Sequence, residues 1–195
     1  QIPVGSIKKL EHFIKDNYIK KQICFAYSPE NLRLGKSIDV FLNPDRIVVG
    51  TRNDETKEKL KKLFSPITNK IEWMSVESAE MTKHAINAFL ATSVTFANEL
   101  AAICELYGAD AKEVERGLKT ESRIGPLAYL SPGGPFAGGT LARDIDFLDK
   151  AAQEKALAVP LLQSVRVSNN EHKKWTKRKL SEKFTTLNKL SVAIW

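Results

Sequence analysis

Lys83 and Asn87 lie four residues apart in the run Ser75-Val-Glu-Ser-Ala-Glu-Met-Thr-Lys-His-Ala-Ile-Asn-Ala-Phe-Leu90. Positions i and i+4 share one face of a helix, so an ammonium stands beside a carboxamide. A charged donor next to a neutral one can hold a substrate oxygen and stabilise charge developing on it. A second segment, Gly133-Gly-Pro-Phe-Ala-Gly-Gly-Thr-Leu-Ala-Arg-Asp144, is a glycine-rich loop running into a helix start. Glycines there let backbone N–H groups approach a ligand closely. Plain alternatives stand beside these readings. Lys83 can be a surface lysine paired with Glu80, Asn87 a buried polar contact between helices, and the loop a flexible surface segment.

The elements that position these residues follow from periodicity and punctuation. Ile7 to Asp16 reads as a short amphipathic helix, Gln22 to Tyr27 as a strand, Arg46 to Gly50 as a buried strand, Glu55 to Phe64 as a lysine-rich helix, and Lys70 to Met74 as a strand. A strand–helix–strand crossover of that length predicts part of a parallel sheet. From Val76 to Tyr107 there is no proline or glycine, and the apolar residues keep helical period. A helix of that length outruns a small domain, and its many alanines suit either an oligomer interface or burial within one subunit. Gly108-Ala-Asp110 ends it, with Asp110 as the N-cap of a helix over Ala111 to Lys119. Residues 120–139 form a loop. Thr140 is expected to cap a helix to about Leu157, and Pro160 to open another reaching about Trp175. A basic stretch, His172-Lys-Lys-Trp-Thr-Lys-Arg-Lys179, follows, and Lys189 to Trp195 reads as the beginning of a strand.

Composition narrows the classes. The chain has 195 residues, 43% of them hydrophobic, which is ample for a core in one or two domains. The formal net charge of +7 suits an anionic partner or simply a soluble surface. Cys24 and Cys104 sit in apolar segments and are expected to be buried free thiols, which suits a reducing, cytoplasmic setting. The three histidines (His12, His84, His172) are scattered, and no metal-ligand spacing is present. Neither a signal peptide nor an apolar run of membrane-crossing length is apparent. The basic stretch carries Trp175 but no nucleic-acid reading motif, so a solvated linker is the simpler account.

Four segments, in order, resemble the UDP-glucose/GDP-mannose dehydrogenase family. They are Ile2-Pro-Val-Gly5; Tyr27-Ser-Pro-Glu-Asn-Leu-Arg-Leu-Gly35 with Asn43-Pro-Asp-Arg-Ile-Val-Val-Gly50; Glu80-Met-Thr-Lys-His-Ala-Ile-Asn-Ala-Phe89 with Asn98-Glu99; and Arg123-Ile-Gly125 with Gly138-Gly-Thr-Leu-Ala-Arg-Asp144. The resemblance implies a mixed fold: the end of a parallel-sheet dinucleotide-binding domain, followed by a mainly helical dimerisation domain built on one long central helix. On that basis residues 1–75 end an NAD-binding domain, 76–180 form the helical domain, and 181–195 begin a nucleotide-binding domain. The chain is then expected to be a segment of a longer protein. It has no G-x-G-x-x-G after a strand.

What the resemblance implies for function is NAD-dependent oxidation of the C6 alcohol of a nucleotide-sugar, as in polysaccharide biosynthesis. The dimer would form through Val76–Tyr107. The catalytic set would be Lys83, Asn87, Glu30, Asp144 and Thr140; the sugar-nucleotide would meet Arg123, Tyr129, Gly138 and Gly139; Arg143, in place of a lysine, would serve the cofactor. The plain alternatives are a solvated carboxylate for Glu30, a first-turn carboxylate favoured by the helix dipole for Asp144, and a surface ion pair for Arg123. Thr140 stands where the family has its catalytic cysteine, and Leu34 and Gln1 depart from a family glutamate and threonine. Without a thiolate the second oxidation, from aldehyde to acid, loses its covalent intermediate. The remaining readings are a non-catalytic nucleotide-sugar-binding or dimerisation module, a 6-phosphogluconate dehydrogenase-like enzyme, and a nucleic-acid binder.

Overall fold

The computed structural model describes residues 2–17, 23–30, 32, 35–188 and 190–193. The chain divides into two compact units, residues 1–86 and 87–195.

The first unit is built on a three-stranded sheet of order β1-β2-β3. β2 (Ile47–Thr51) pairs parallel with β3 (Ile71–Met74), in register from Ile47 opposite Ile71 to Gly50 opposite Met74. The crossover between them is α3 (Asp54–Phe64). Asn53 caps it by accepting from Thr56 N at 2.8 Å, and Asp54 and Glu55 at its start and Lys61 and Lys62 at its end complement the helix dipole. Val48 and Val49 are fully buried, as a central parallel strand requires. Gly50 answers a packing demand. A Cβ there would lie 2.7 Å from both Ala79 Cβ and Val76 Cα, in the first turn of the helix that follows the sheet.

Three expectations need correction in this unit. The strand read over 22–27 is only Ala26–Tyr27 (β1), antiparallel to β2, and Gln22 lies outside the described residues. A six-residue helix, α2 (Ser37–Leu42), follows α1 (Ser6–Asn17) and β1 in a stretch to which the periodicity assigns no element. Six residues are too few to set a periodic signal. Cys24 is exposed, not buried, because its neighbours never enter the sheet; Cys104 is buried as expected.

α4 runs continuously from Val76 to Tyr107, with the expected bounds. By length and composition it is sufficient to cross a membrane, against the expectation that no run would be. Its buried positions nevertheless include Glu80, His84, Asn87 and Asn98, the mark of a helix that packs in a protein core.

The second unit is helical. Its core joins Ala88 and Ala91 of α4, Ile145 of α6 (Thr140–Gln153) and Val165 of α7 (Pro160–His172), with Phe136, Leu141, Leu148 and Leu162 packed around them. Asp110 caps α5 (Ala111–Thr120) through Lys112 N at 2.7 Å. α6 stops at Gln153, short of Leu157, because Ala156 turns left-handed (φ 53°) and Leu157 N returns to Ala152 O at 2.9 Å. That is a glycine-type helix end without a glycine to announce it. The cap of α6 is Gly139; Thr140 is its first residue and makes no capping bond. α7 ends at His172 and a separate α8 (Trp175–Lys183) follows, where one helix to Trp175 was expected. The break lets Trp175 donate its indole N–H to Glu105 at 3.0 Å. Residues 190–193 are not strand; the other residues of that expected strand lie outside the described set.

Candidate active site

In the first unit, α4 presents Lys83 on a nearly closed surface. Its side chain is 12% exposed, and its ammonium lies 4.0 Å from Glu30 Oε1. Glu30 is braced by its own loop, accepting from Leu32 N at 2.7 Å. The alternative partner, Glu80, is committed elsewhere. It is fully buried and accepts from Gly5 N at 2.6 Å and Ile7 N at 2.9 Å, capping the start of α1 from outside. A carboxylate on the free N–H groups of a helix start is favoured by hydrogen bonding and by the dipole. One turn on, His84 Nε2 donates to Ile2 O at 3.0 Å. Glu80 and His84 thus fasten the Ile2–Gly5 turn to the helix that carries Lys83. Their roles were not legible locally, because their partners are backbone groups more than seventy positions away.

In the second unit, Asn87 donates its amide to Asp144 Oδ2. Both side chains are buried, Asp144 at 1% exposure. Asp144 is the fifth residue of α6, not a first-turn residue, so the dipole does not account for it. It lies among the buried residues of α6, next to Ile145. A carboxyl group buried there needs hydrogen-bonding partners, and Asn87 is one. The mid-helix asparagine thereby gains its physical reason. The contact between helices foreseen as its alternative is present.

The other expected residues of the second unit are exposed. Thr140 is exposed at the first position of α6, and its hydroxyl meets no base among the described residues. Gly138 and Gly139 face open space, since a Cβ on either would touch nothing within 4 Å. Arg143 is exposed one position before Asp144, and Tyr129 is 60% exposed. Arg123 donates to Glu121 at 2.9 Å, the surface ion pair foreseen as its alternative. The basic stretch is largely paired within the chain: Lys174 with Glu171 at 2.6 Å, Lys179 with Glu105 at 2.7 Å. Among the described residues no group of three or more His, Cys, Asp or Glu is placed to hold a metal ion.

A dinucleotide needs a glycine turn against which its pyrophosphate can lie. The described residues do not form one. Gly50 is the glycine whose missing Cβ leaves room for a close neighbour, and that room is taken by α4 itself.

Comparison with known proteins places these observations. Residues 1–68 match the UDP-glucose/GDP-mannose dehydrogenase family, NAD binding domain, and residues 77–171 match the central domain of the same family. The NAD expectation agrees with the first match. A UDP-glucose 6-dehydrogenase of Pseudomonas aeruginosa is 30% identical over 202 aligned residues, covering 100% of this chain and 44% of that protein. The UDP-glucose 6-dehydrogenase YwqF of Bacillus subtilis is 37% identical, over 87% of this chain and 39% of its own length. A solved UDP-glucose dehydrogenase structure from Pyrobaculum islandicum superposes with a TM-score of 0.86 at 24% identity, over 93% of this chain and 42% of that one. This likeness shows the fold, and agrees with the mixed architecture expected. The chain spans less than half the length of the relatives it matches.

Proposed function

The chain belongs to the UDP-glucose/GDP-mannose dehydrogenase family, and from that premise we propose that it supplies the substrate-side residues for NAD-dependent oxidation of the C6 alcohol of a nucleotide-sugar. One observation carries the reading: Asn87, one turn after Lys83 on α4, forms a buried carboxamide–carboxylate pair with Asp144 of α6. A buried acid oriented by an amide, at no gain to an apolar core, is expected where a proton or a water must be handled.

The roles follow from charge and reach. As the C6 hydroxyl loses its proton, negative charge builds on that oxygen, and the Lys83 ammonium stabilises it. Asp144, oriented by Asn87, accepts the proton directly or through one water. Glu30 keeps the Lys83 ammonium oriented and is the second carboxylate available to a water. Arg123, Tyr129, Gly138 and Gly139 meet the sugar and pyrophosphate, and Arg143 serves the cofactor. NAD is the hydride acceptor of the family; a glycine turn for its pyrophosphate is not among the described residues, and of the roles above only that of Arg143 concerns it.

Thr140 limits the outcome. A threonine hydroxyl with no adjacent base does not form the covalent adduct that a cysteine thiolate would. The oxidation is therefore a single two-electron step ending at the aldehyde. The same residue favours a second reading, a non-catalytic module that binds a nucleotide-sugar or dimerises. Dimerisation itself is proposed through α4, where Phe89, Phe96 and Ile103 recur every seven residues and are 70%, 50% and 51% exposed. A cytoplasmic location goes with this reading.

The test is Lys83→Ala in the whole protein, assayed with NAD and UDP-, GDP- and dTDP-sugars. Loss of one such electrostatic group is expected to lower kcat roughly a hundred-fold or more. Undiminished turnover would remove Lys83 from the mechanism; wild-type binding without turnover would favour the non-catalytic module.

A further inference from the structure

The glycine-rich loop is fastened through both backbone polar atoms of two of its residues. Gly133 N donates to Asn98 Oδ1 at 2.8 Å, and Gly133 O accepts from His172 Nε2 at 2.8 Å. Phe136 N donates to Asn169 Oδ1 at 2.9 Å, and Phe136 O accepts from Asn169 Nδ2 at 2.9 Å. Asn169 therefore pairs with Phe136 as a neighbouring strand would. Asn98 and Asn169 are 2% and 3% exposed, so their amides are sheltered from competing water. The Phe136 ring packs on the core of Ala88, Ala91, Ile145 and Val165. Ser131 adds a bond to Glu115 at 2.5 Å.

Beyond Phe136 the fastening stops. The backbone N–H groups of Ala137 and Gly138 donate no hydrogen bond among the described residues, and Gly138 and Gly139 border open space. Thr140 then begins α6. The loop is thus a fixed base carrying a short stretch of unpaired backbone N–H groups beside a helix N-terminus. Such groups suit the oxygens of an anionic, polyhydroxyl ligand.

We infer that Asn98, Asn169 and His172 are positioning residues: they hold the loop so that the free N–H groups of 137–139 are set in place before a ligand arrives. The inference rests on the function proposed above for the identity of that ligand, a nucleotide-sugar. None of the three touches the open stretch itself. Their effect is to remove the ordering cost from binding, which raises affinity without adding a contact.

The experiment compares the whole protein with its Asn169→Ala and His172→Ala variants, by amide hydrogen exchange and by steady-state kinetics. His172 lies outside the tightly buried set, so its variant keeps the question open if Asn169→Ala does not fold. Exchange at residues 133–139 is expected to speed up roughly ten-fold, the size that goes with losing one or two ordinary hydrogen bonds, while α6 and α7 keep their protection. The KM for the nucleotide-sugar should rise by a similar factor, with kcat changing less. Unchanged loop exchange in a folded variant would overturn the clamp, as would faster loop exchange with KM unmoved. If the wild type binds no nucleotide-sugar, the proposed function fails, and loop exchange alone then upholds or overturns the clamp.

Discussion

The Asn87 carboxamide donates a hydrogen bond to the Asp144 carboxylate across 57 positions of the chain, joining α4 to α6. Asn87 is 6% exposed and Asp144 1%, so each relies mainly on hydrogen bonds within the protein.

That dependence is measurable as a coupling. Asn87→Ala and Asp144→Asn are each expected to cost about 1–3 kcal/mol of stability, since each disturbs a buried polar group. The double variant should cost less than the sum, with an interaction energy of roughly 0.5–3 kcal/mol. Urea melts of the four proteins supply the cycle. Strict additivity would mean that the pair is not energetically joined.

Gly50→Ala tests how closely the first turn of α4 lies on β2. The added methyl would meet Val76 Cα at 2.7 Å and Ser75 O at 2.8 Å, which are backbone atoms and cannot swing away. Overpacking of this kind costs about 1–3 kcal/mol or more. A denaturation midpoint equal to the wild type would show that the strand and helix are farther apart than described.

Acid should loosen α8. The Glu105 carboxyl titrates below its ordinary value of 4.5, chiefly because Lys179 hydrogen-bonds to its ionised form, with Trp175 adding to the effect and burial opposing it. A lowered folded pKa means that the unfolded state binds the proton more readily. The contribution is therefore full above pH 4.5 and is lost as pH falls through the lowered folded value. The indole N–H resonance of Trp175 should shift in that window, and Glu105→Gln should abolish the shift. A resonance that moves identically in both proteins would assign the transition to another group.

Parts of this structure were legible in the sequence and parts were not, for physical reasons. α4 was readable to the residue because no glycine or proline interrupts 76–107 and Gly108, with φ 70°, ends it. The β2–α3–β3 unit was readable because a lysine-rich helix separates two short apolar runs. The break between α7 and α8 was hidden, since neither glycine nor proline marks it and Glu105, which Trp175 reaches, lies 70 positions back along the chain. Lys83 and Asn87 stand out by spacing, and Asp144 through the resemblance of the glycine segment that it follows. Asn169 did not, because its partner is the backbone of Phe136, 33 positions away, and backbone leaves no signature in side-chain types. Glu80 read as a partner for Lys83 for the same reason: the N–H groups it serves belong to residues 5 and 7.

The most direct test of the proposed chemistry is to count NADH formed per nucleotide-sugar consumed by the whole protein, with an aldehyde trap present. One NADH and a trapped aldehyde is the predicted result. The Thr140→Cys variant should move the count toward two, because its thiol would stand at the N-terminus of α6, where the dipole favours a thiolate. Two NADH and an acid product with Thr140 in place would contradict the account.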